Sequence, residues 1–150
     1  MFSINTSVVS GVAISEMDGE WRILLLKRTK EEFWCHVAGS IESGELAWQA
    51  IIREFVEETA IKINKLYSAE TSEQFYDALK DQYMIIPSFV VICNPNQKIE
   101  LNSEHTEFRW CSLSEALELV PYPGQKELYL HVWKYFVENH PSDLMKVKIS

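Results

Sequence analysis

From Gly39 to Ile61 the chain reads GSIESGELAWQAIIREFVEETAI. Leu46 to Thr59 contains neither proline nor glycine and is rich in helix formers, so the sequence predicts a helix there. At about 100° per residue, Glu54, Glu57 and Glu58 share one stripe through i, i+3 and i+4 spacing, and Trp48, Ile51, Ile52 and Phe55 form a neighbouring apolar arc. Such a helix docks on a core and still presents three carboxylates to one point. Like charges so spaced repel unless a cation sits among them. Clustered hard oxygens suit Mg²⁺ or Mn²⁺, which takes a few carboxylates and completes its shell with water and substrate phosphate. The alternative is a solvated acidic face.

The spacing carries further. Gly39 is followed after five residues by Glu45, and after seven more by Arg53-Glu54-Phe55-Val56-Glu57-Glu58-Thr59-Ala60-Ile61. This arrangement resembles the Nudix box, in which every charged position is filled as here and the last glycine is replaced, in this chain, by Ala60. The resemblance implies an α/β/α sandwich with a mixed β-sheet flanked by helices. It implies Glu54, Glu57 and Glu58 as metal ligands, the latter two also catalytic, with Glu45 and Arg53 orienting the loop and the carboxylates. A surface ion pair is the plainer reading of Glu45 and Arg53. Gly39 ends the run Cys35-His36-Val37-Ala38 and is expected to let the chain turn tightly, so that its carbonyl reaches the metal. Glu45 is expected at or near the helix start, where the dipole favours a carboxylate. Ala60 requires a local backbone that tolerates a Cβ, and Leu46 stands where Ser or Thr is the common cap, which weakens the helix start by about 1 kcal/mol.

The 150 residues are most simply one domain, and a hydrophobic fraction of 47% with 12% aromatics is that of a globular chain. The stretch before Glu16 lacks the basic start of a secretory signal, and Met84 to Cys93, interrupted by Pro87 and Ser88, is too short to span a bilayer. Cys35, Cys93 and Cys111 show neither zinc nor redox spacing, which suits a reduced, cytoplasmic setting. A formal net charge of -8 disfavours a nucleic-acid polymer as partner and leaves small phosphorylated ligands, bridged by a metal, as the expected class. The oligomeric state is left open, a homodimer included.

Ser7 to Ser15 and Trp21 to Arg28 read as strands joined by the turn Met17-Asp18-Gly19-Glu20. Phe33 to Ala38, Lys62 to Ala69, Gln82 to Cys93 and Thr106 to Cys111 are further strand candidates, with Pro87 expected at an edge or a bulge. Ser112 or Ser114 caps a short helix through Leu119, and Pro121-Tyr122-Pro123-Gly124 separates it from a helix over Gln125 to Asn139 with Leu128, Val132, Tyr135 and Phe136 on its apolar face.

Outside the box, Phe33-Trp34, Val37, Gly39-Ser40, Glu42 and Gly44-Glu45 are similar to the entry of the box in bacterial dATP pyrophosphohydrolases that act on dihydroneopterin triphosphate. Glu104-His105 followed by Arg109-Trp110 resembles the segment that supplies a remote catalytic carboxylate in that group and in dinucleoside polyphosphate hydrolases. Glu104 is therefore the first choice for a distal base and Glu107 the second, with a solvated loop carboxylate as the alternative for each. His105 is a candidate for phosphate contact or proton transfer. Phe33, Trp34, Tyr76 and Tyr83 are candidates to stack on a base or pterin, core burial being the alternative for the first two. Lys27 and Arg28 are candidate phosphate clamps.

The expectation is Mg²⁺-dependent hydrolysis, with Mn²⁺ as substitute, of a phosphoanhydride in a nucleoside-triphosphate-like substrate, releasing a monophosphate and pyrophosphate. Alternatives are a dinucleoside polyphosphate or other nucleoside-diphosphate-linked substrate, and a catalytically silent nucleotide-sensing module.

Overall fold

Aliphatic runs buried on both faces form the centre of the structure, a computed structural model that describes residues 1–149. Three long strands carry them: β2 (Val8–Met17), β3 (Glu20–Arg28) and β7 (Gln82–Ile92). Alternate residues point to opposite faces of a strand. Val12, Ile14, Ile23, Leu25 and Val90 accordingly enter one core with Leu128, Tyr129, Val132 and Phe136. Val9, Ala13, Leu24, Leu26, Phe89 and Val91 enter another with Ala50, Ile51 and Phe55. A sheet covered on both sides explains why these strands read as continuous rather than alternating apolar sequence.

The remaining strands are β1 (Ser3–Asn5), β4 (Trp34–Cys35), β5 (Val37–Ser40), β6 (Lys65–Asp77) and β8 (His105–Cys111). The sheet runs β1-β7-β2-β3-β4, with β5 on β2, β6 on β7 and β8 on β3. It is mixed, because β7 pairs in parallel with β1 and β2 while β2 and β3 are antiparallel. Helix α1 (Ala47–Thr59) covers one face; α2 (Leu113–Leu119) and α3 (Pro123–Val132) cover the other. This is the expected α/β/α sandwich. Among the described residues no helix is long and apolar enough to cross a membrane.

Several boundaries differ from the sequence reading, each for a local reason. The run Phe33 to Ala38 is two strands on different partners, β4 on β3 and β5 on β2. The strand expected to end at Ala69 continues to Asp77 past a register shift between Ser68 and Ser72, where Glu70 has φ 56°. Pro87 pairs with Ser72 at that irregularity, between the stretches of β7 that bond β1 and β2, so the proline sits at a bulge and not at an edge. Ser112 is the cap of α2: its Oγ accepts from Glu115 N–H at 3.2 Å and Glu115 Oε1 accepts from Ser112 N–H at 3.0 Å. Pro123 is the first residue of α3, so this proline starts the helix it was expected to precede. A π-helical turn over Trp133–Val137 then shifts the face, leaving Phe136 buried and Tyr135, expected inside, 43% exposed.

At the two ends of α1 the sequence compromises are visible. Leu46 makes no side-chain cap, but Gln49 Oε1 accepts from its N–H at 2.9 Å. Ala60 does not avoid the glycine conformation; it adopts it, at φ 63° and ψ 13°, with its N–H donating to Val56 O at 3.0 Å. An L-residue in this region costs about 1 kcal/mol or more relative to glycine. Ala60→Gly is expected to raise the unfolding free energy by about 1 kcal/mol, measured by urea denaturation. An unchanged or lower midpoint would show that the turn carries no such strain.

Candidate functional site

Helix α1 approaches the sheet so closely that at two glycines a Cβ would collide with its side chains. A Cβ at Gly11 would lie 2.7 Å from Phe55 and 2.9 Å from Ile51. A Cβ at Gly39 would fall within the Glu54 carboxyl group. Gly39 therefore serves by its missing side chain and not, as expected, by a tight turn. It lies inside β5, while the left-handed backbone belongs to Gly44 at φ 80°.

Arg53 organises the segment between β5 and α1. Its Nε and Nη2 donate to Glu45 at 2.7 and 2.9 Å, a two-pronged contact, and Nη2 also donates to Ser40 O at 2.8 Å. Nη1 donates to Glu54 Oε1 at 2.8 Å and to Glu57 Oε2 at 3.3 Å. Glu45, near the helix start as expected, precedes the cap and turns to Arg53 and Glu42 N–H, which hold its carboxyl pKa down at about 2. The Glu45 charge thus closes the loop through Arg53 more than it meets the helix dipole.

The three box carboxylates occupy different environments. Glu57 is exposed and engaged by Arg53. Glu54 is buried under Gly39. Glu58 is 2% exposed, and burial, then the neighbouring Glu54 and Glu104, push its pKa up to about 10 against a smaller opposing effect of Arg28. Opposite it stands His105, buried and held neutral, with a pKa lowered to about 4 mainly by burial. The 3.8 Å contact between His105 Nδ1 and Glu58 Oε1 joins a protonated acid to a neutral ring, so it is not an ion pair. Glu58 Oε2 and His105 Nδ1 are both buried without a hydrogen-bond partner.

Glu104 completes this group. Atoms of Glu58, Glu104 and His105 lie within 4.8 Å of one another. Its loop is clamped by Thr29, whose N–H donates to Glu104 O at 2.9 Å and whose hydroxyl donates to Ser103 O at 2.8 Å. Glu107, the second choice, pairs across the strands with Lys27, whose Nζ is 3.6 Å from its carboxylate. The gathered trio is Glu58, Glu104 and His105, which differs from the stripe Glu54, Glu57 and Glu58.

Two unsatisfied buried polar atoms, an oxygen-rich donor set and the bare Gly39 beside Glu54 fit a divalent cation. Glu54 and Glu58 are the residues that would hold it, with Glu104 beside Glu58.

A cavity of about 760 Å³ opens from this group. Glu58, His105 and Arg28 line one part; Phe33, Tyr76 and Tyr122 supply aromatic walls. Arg28 Nε donates to Glu31 at 2.7 Å and the guanidinium stands 5.9 Å from the centre of the Phe33 ring, which meets Tyr122 edge-on. Lys27 and Trp34 do not line the cavity, which corrects their expected place: Lys27 faces Glu107, and Trp34 is in the core with Arg109 over its ring. Tyr83 is also absent from the lining and meets Phe2.

The sequence reading missed the cavity's buried polar wall. His36 Nε2 and Glu73 Oε1 are 2.6 Å apart, His36 Nδ1 and Tyr129 Oη 2.7 Å, and Ser10 donates to Glu73 Oε1 at 2.8 Å. The available signal was a polar His36 between Cys35 and Val37 in an apolar strand run. Glu73 carried none, because it lies beyond the bulge.

The family model described as NUDIX domain matches residues 5–132. The chain belongs to the Nudix family. Among relatives, it is 32% identical over 131 residues to an octanoyltransferase of Myxococcus xanthus, covering 85% of this chain but only 35% of that protein, so the chain spans about a third of that relative's length. It is 29% identical to an asymmetrical bis(5'-nucleosyl)-tetraphosphatase of Caenorhabditis elegans, over 74% of this chain and 82% of the other. It is 30% identical to a dihydroneopterin triphosphate diphosphatase of Haemophilus influenzae, over 65% and 70%. The crystal structure of a C. elegans Ap4A hydrolase binary complex superposes with a TM-score of 0.79 at 23% identity, covering 90% of this Nudix chain and 99% of the other, which supports the shared fold.

The raised Glu58 pKa makes a signed prediction for the cation-free protein. Unfolded, Glu58 ionises near 4.5; folded, it keeps its proton up to about 10. Its contribution to stability is therefore complete below the unfolded pKa and is lost progressively as pH rises through this window. In chelator, the Tm advantage of Glu58→Gln over the unsubstituted protein should widen from pH 5 to pH 8, and Mg²⁺ should narrow it. A pH-independent difference would show that Glu58 ionises freely.

Proposed function

We propose that this Nudix chain is a pyrophosphohydrolase that cleaves a phosphoanhydride in a nucleoside-triphosphate-like substrate of the dATP or dihydroneopterin triphosphate type, releasing a monophosphate and pyrophosphate. The observation that carries the reading is the meeting of Glu58, Glu104 and His105, two of their buried polar atoms unpartnered, beside a cavity of ligand size. The named activities of the C. elegans and H. influenzae relatives support hydrolysis of nucleotide-like pyrophosphates.

A divalent cation, when bound at Glu54 and Glu58 with Glu57 and the Gly39 carbonyl as further donors, supplies charge neutralisation on the phosphates and a more acidic water. The chain's own groups do the rest. Arg53 keeps Glu54 aimed. Arg28, the one Lys or Arg in the described cavity lining, contacts the phosphates after release from Glu31. Glu104, carried on a clamped loop, accepts the proton of the attacking water. Phe33, Tyr76 and Tyr122 stack on the heterocycle. Three free and buried cysteines accord with a cytoplasmic setting.

The second reading is asymmetrical cleavage of a dinucleoside polyphosphate. Tyr76 favours it by lining the cavity while 53% exposed, placed to meet a second base. Product analysis on both substrate classes separates the two.

Turnover should require Mg²⁺ or Mn²⁺ and stop on chelation. Pyrophosphate release undiminished in thoroughly metal-stripped protein would overturn the reading, and nucleotide binding without hydrolysis of any substrate would mark a sensing module.

Glu104→Gln should lower kcat by roughly 10² to 10⁴ with KM within a few-fold, the usual contribution of a placed general base. Glu107→Gln, which loses only its contact with Lys27, should be far milder. Kinetics of the two variants under saturating Mg²⁺ decide: a larger loss at Glu107 reverses the assignment, and small losses at both place the base on α1.

A further inference from the structure

The cavity wall opposite the carboxylate cluster has its own chemistry. Tyr129 is fully buried and burial raises its pKa, so its hydroxyl keeps its proton and can donate to His36 Nδ1, with the two atoms 2.7 Å apart. His36 Nε2 in turn donates to Glu73 Oε1, since a carboxylate oxygen only accepts. Ser10 donates to the same oxygen. Two hydrogen bonds thus converge on Glu73 Oε1. Oε1 has both lone pairs occupied; Oε2 makes no hydrogen bond among the described residues. Burial works to raise the Glu73 pKa, but His36 and Ser10 outweigh it and hold the group below its ordinary value, so Glu73 is a carboxylate near neutral pH.

An oriented, half-satisfied carboxylate in a largely buried wall recognises a ligand that brings donors and no acceptor. Phosphate is excluded by charge. The aromatic residues Phe33, Phe75, Tyr76 and Tyr122 line the same space, which suits a flat heterocycle. Heterocycles with a ring N–H beside an exocyclic amine present two adjacent donors, the 2-amino-4-oxopyrimidine edge shared by guanine and pterin. Adenine presents an amine beside a bare ring nitrogen, whose lone pair would face the carboxylate.

We propose that Glu73, positioned by His36 and Ser10, reads the 2-amino-4-oxopyrimidine edge of a guanine or pterin ligand in this cavity. This rests on the hydrolase reading only for the identity of the attached polyphosphate and, of the substrates proposed there, favours the pterin type over dATP; recognition of the ring is a separate property of Glu73. His36 and Ser10 are positioning residues, because their hydrogen bonds fix the Glu73 oxygen that is already occupied and so aim the one that is not.

The test is equilibrium binding of guanosine, neopterin, inosine and adenosine by calorimetry in chelator, with no polyphosphate present. Guanosine or neopterin should bind about 10-fold or more tightly than adenosine, as expected for one good polar edge contact, with inosine, which lacks the amine, in between. The tighter of guanosine and neopterin identifies the source of the edge. Glu73→Gln, which keeps an acceptor for His36 but replaces the open oxygen by a donor, should bring the ratio to adenosine close to one. Adenosine binding as tightly as both, no saturable binding by either guanosine or neopterin, or an unchanged ratio in folded Glu73→Gln overturns the proposal. If that variant does not fold, the ranking of the four ligands on the unsubstituted protein still decides. Pyrophosphate release from GTP and ATP in Mg²⁺ on the same preparation separates the two claims: preference without hydrolysis removes the enzyme and leaves the edge contact, and hydrolysis without preference does the reverse.

Discussion

The close seat of α1 on the sheet is the constraint from which the site follows. Gly11 lets Phe55 and Ile51 reach the backbone of β2, and Gly39 leaves the volume that the Glu54 carboxyl occupies. A Cβ at Gly11 would press on Phe55 and Ile51, and one at Gly39 would displace the Glu54 carboxyl from its place. The apolar arc and the acidic stripe are therefore one design: burial of Phe55 and Ile51, worth about 2 kcal/mol or more each, holds Glu54 and Glu58 in an environment where carboxylates would not otherwise stay. Packing energy offsets electrostatic cost.

That cost is distributed by Arg53. Its guanidinium meets Glu42, Glu45, Glu54 and Glu57 and the carbonyl of Ser40, so one fixed charge serves four carboxylates and a loop. Glu58 is left outside this arrangement, with burial raising its pKa and no cationic partner in contact. The contrast is informative. A purely structural acidic face would spread its charges into solvent; here one carboxylate is neutralised by protonation, beside a neutral histidine and the free Glu104. The site stores an unmet demand for positive charge.

Much of this was legible in the sequence, because the relevant spacing is local. Period 3.6 placed the stripe and the arc on α1, the apolar runs marked the strands, and the Nudix resemblance implied the sheet covered on both faces. What was not legible depends on contacts between distant segments. Trp34 looked like a stacking residue until β4 paired with β3 and put it in the core. Lys27 looked like a phosphate clamp, but the register of β8 places Glu107 against it. Glu73 was invisible because the bulge after Ser68 breaks the alternation from which its orientation would have been read. The reason for Gly39 was likewise tertiary: space for a side chain fifteen residues on, and not a turn.

The cavity's charge inventory connects these points. Its described lining holds Glu58, Glu73, Asp77 and Glu127 but only one permanent cation, Arg28, already paired with Glu31. An anionic polyphosphate entering such a space meets repulsion that one arginine cannot cancel, so binding of the phosphates has to be coupled to binding of a cation. The heterocycle end has the opposite requirement, since an ionised Glu73 attracts donors without any metal. On the proposed reading the two halves of a ligand would thus be held by independent means. Selectivity for the ring and dependence on the cation need not vary together, and substitutions in the polar wall can retune one without disturbing the other.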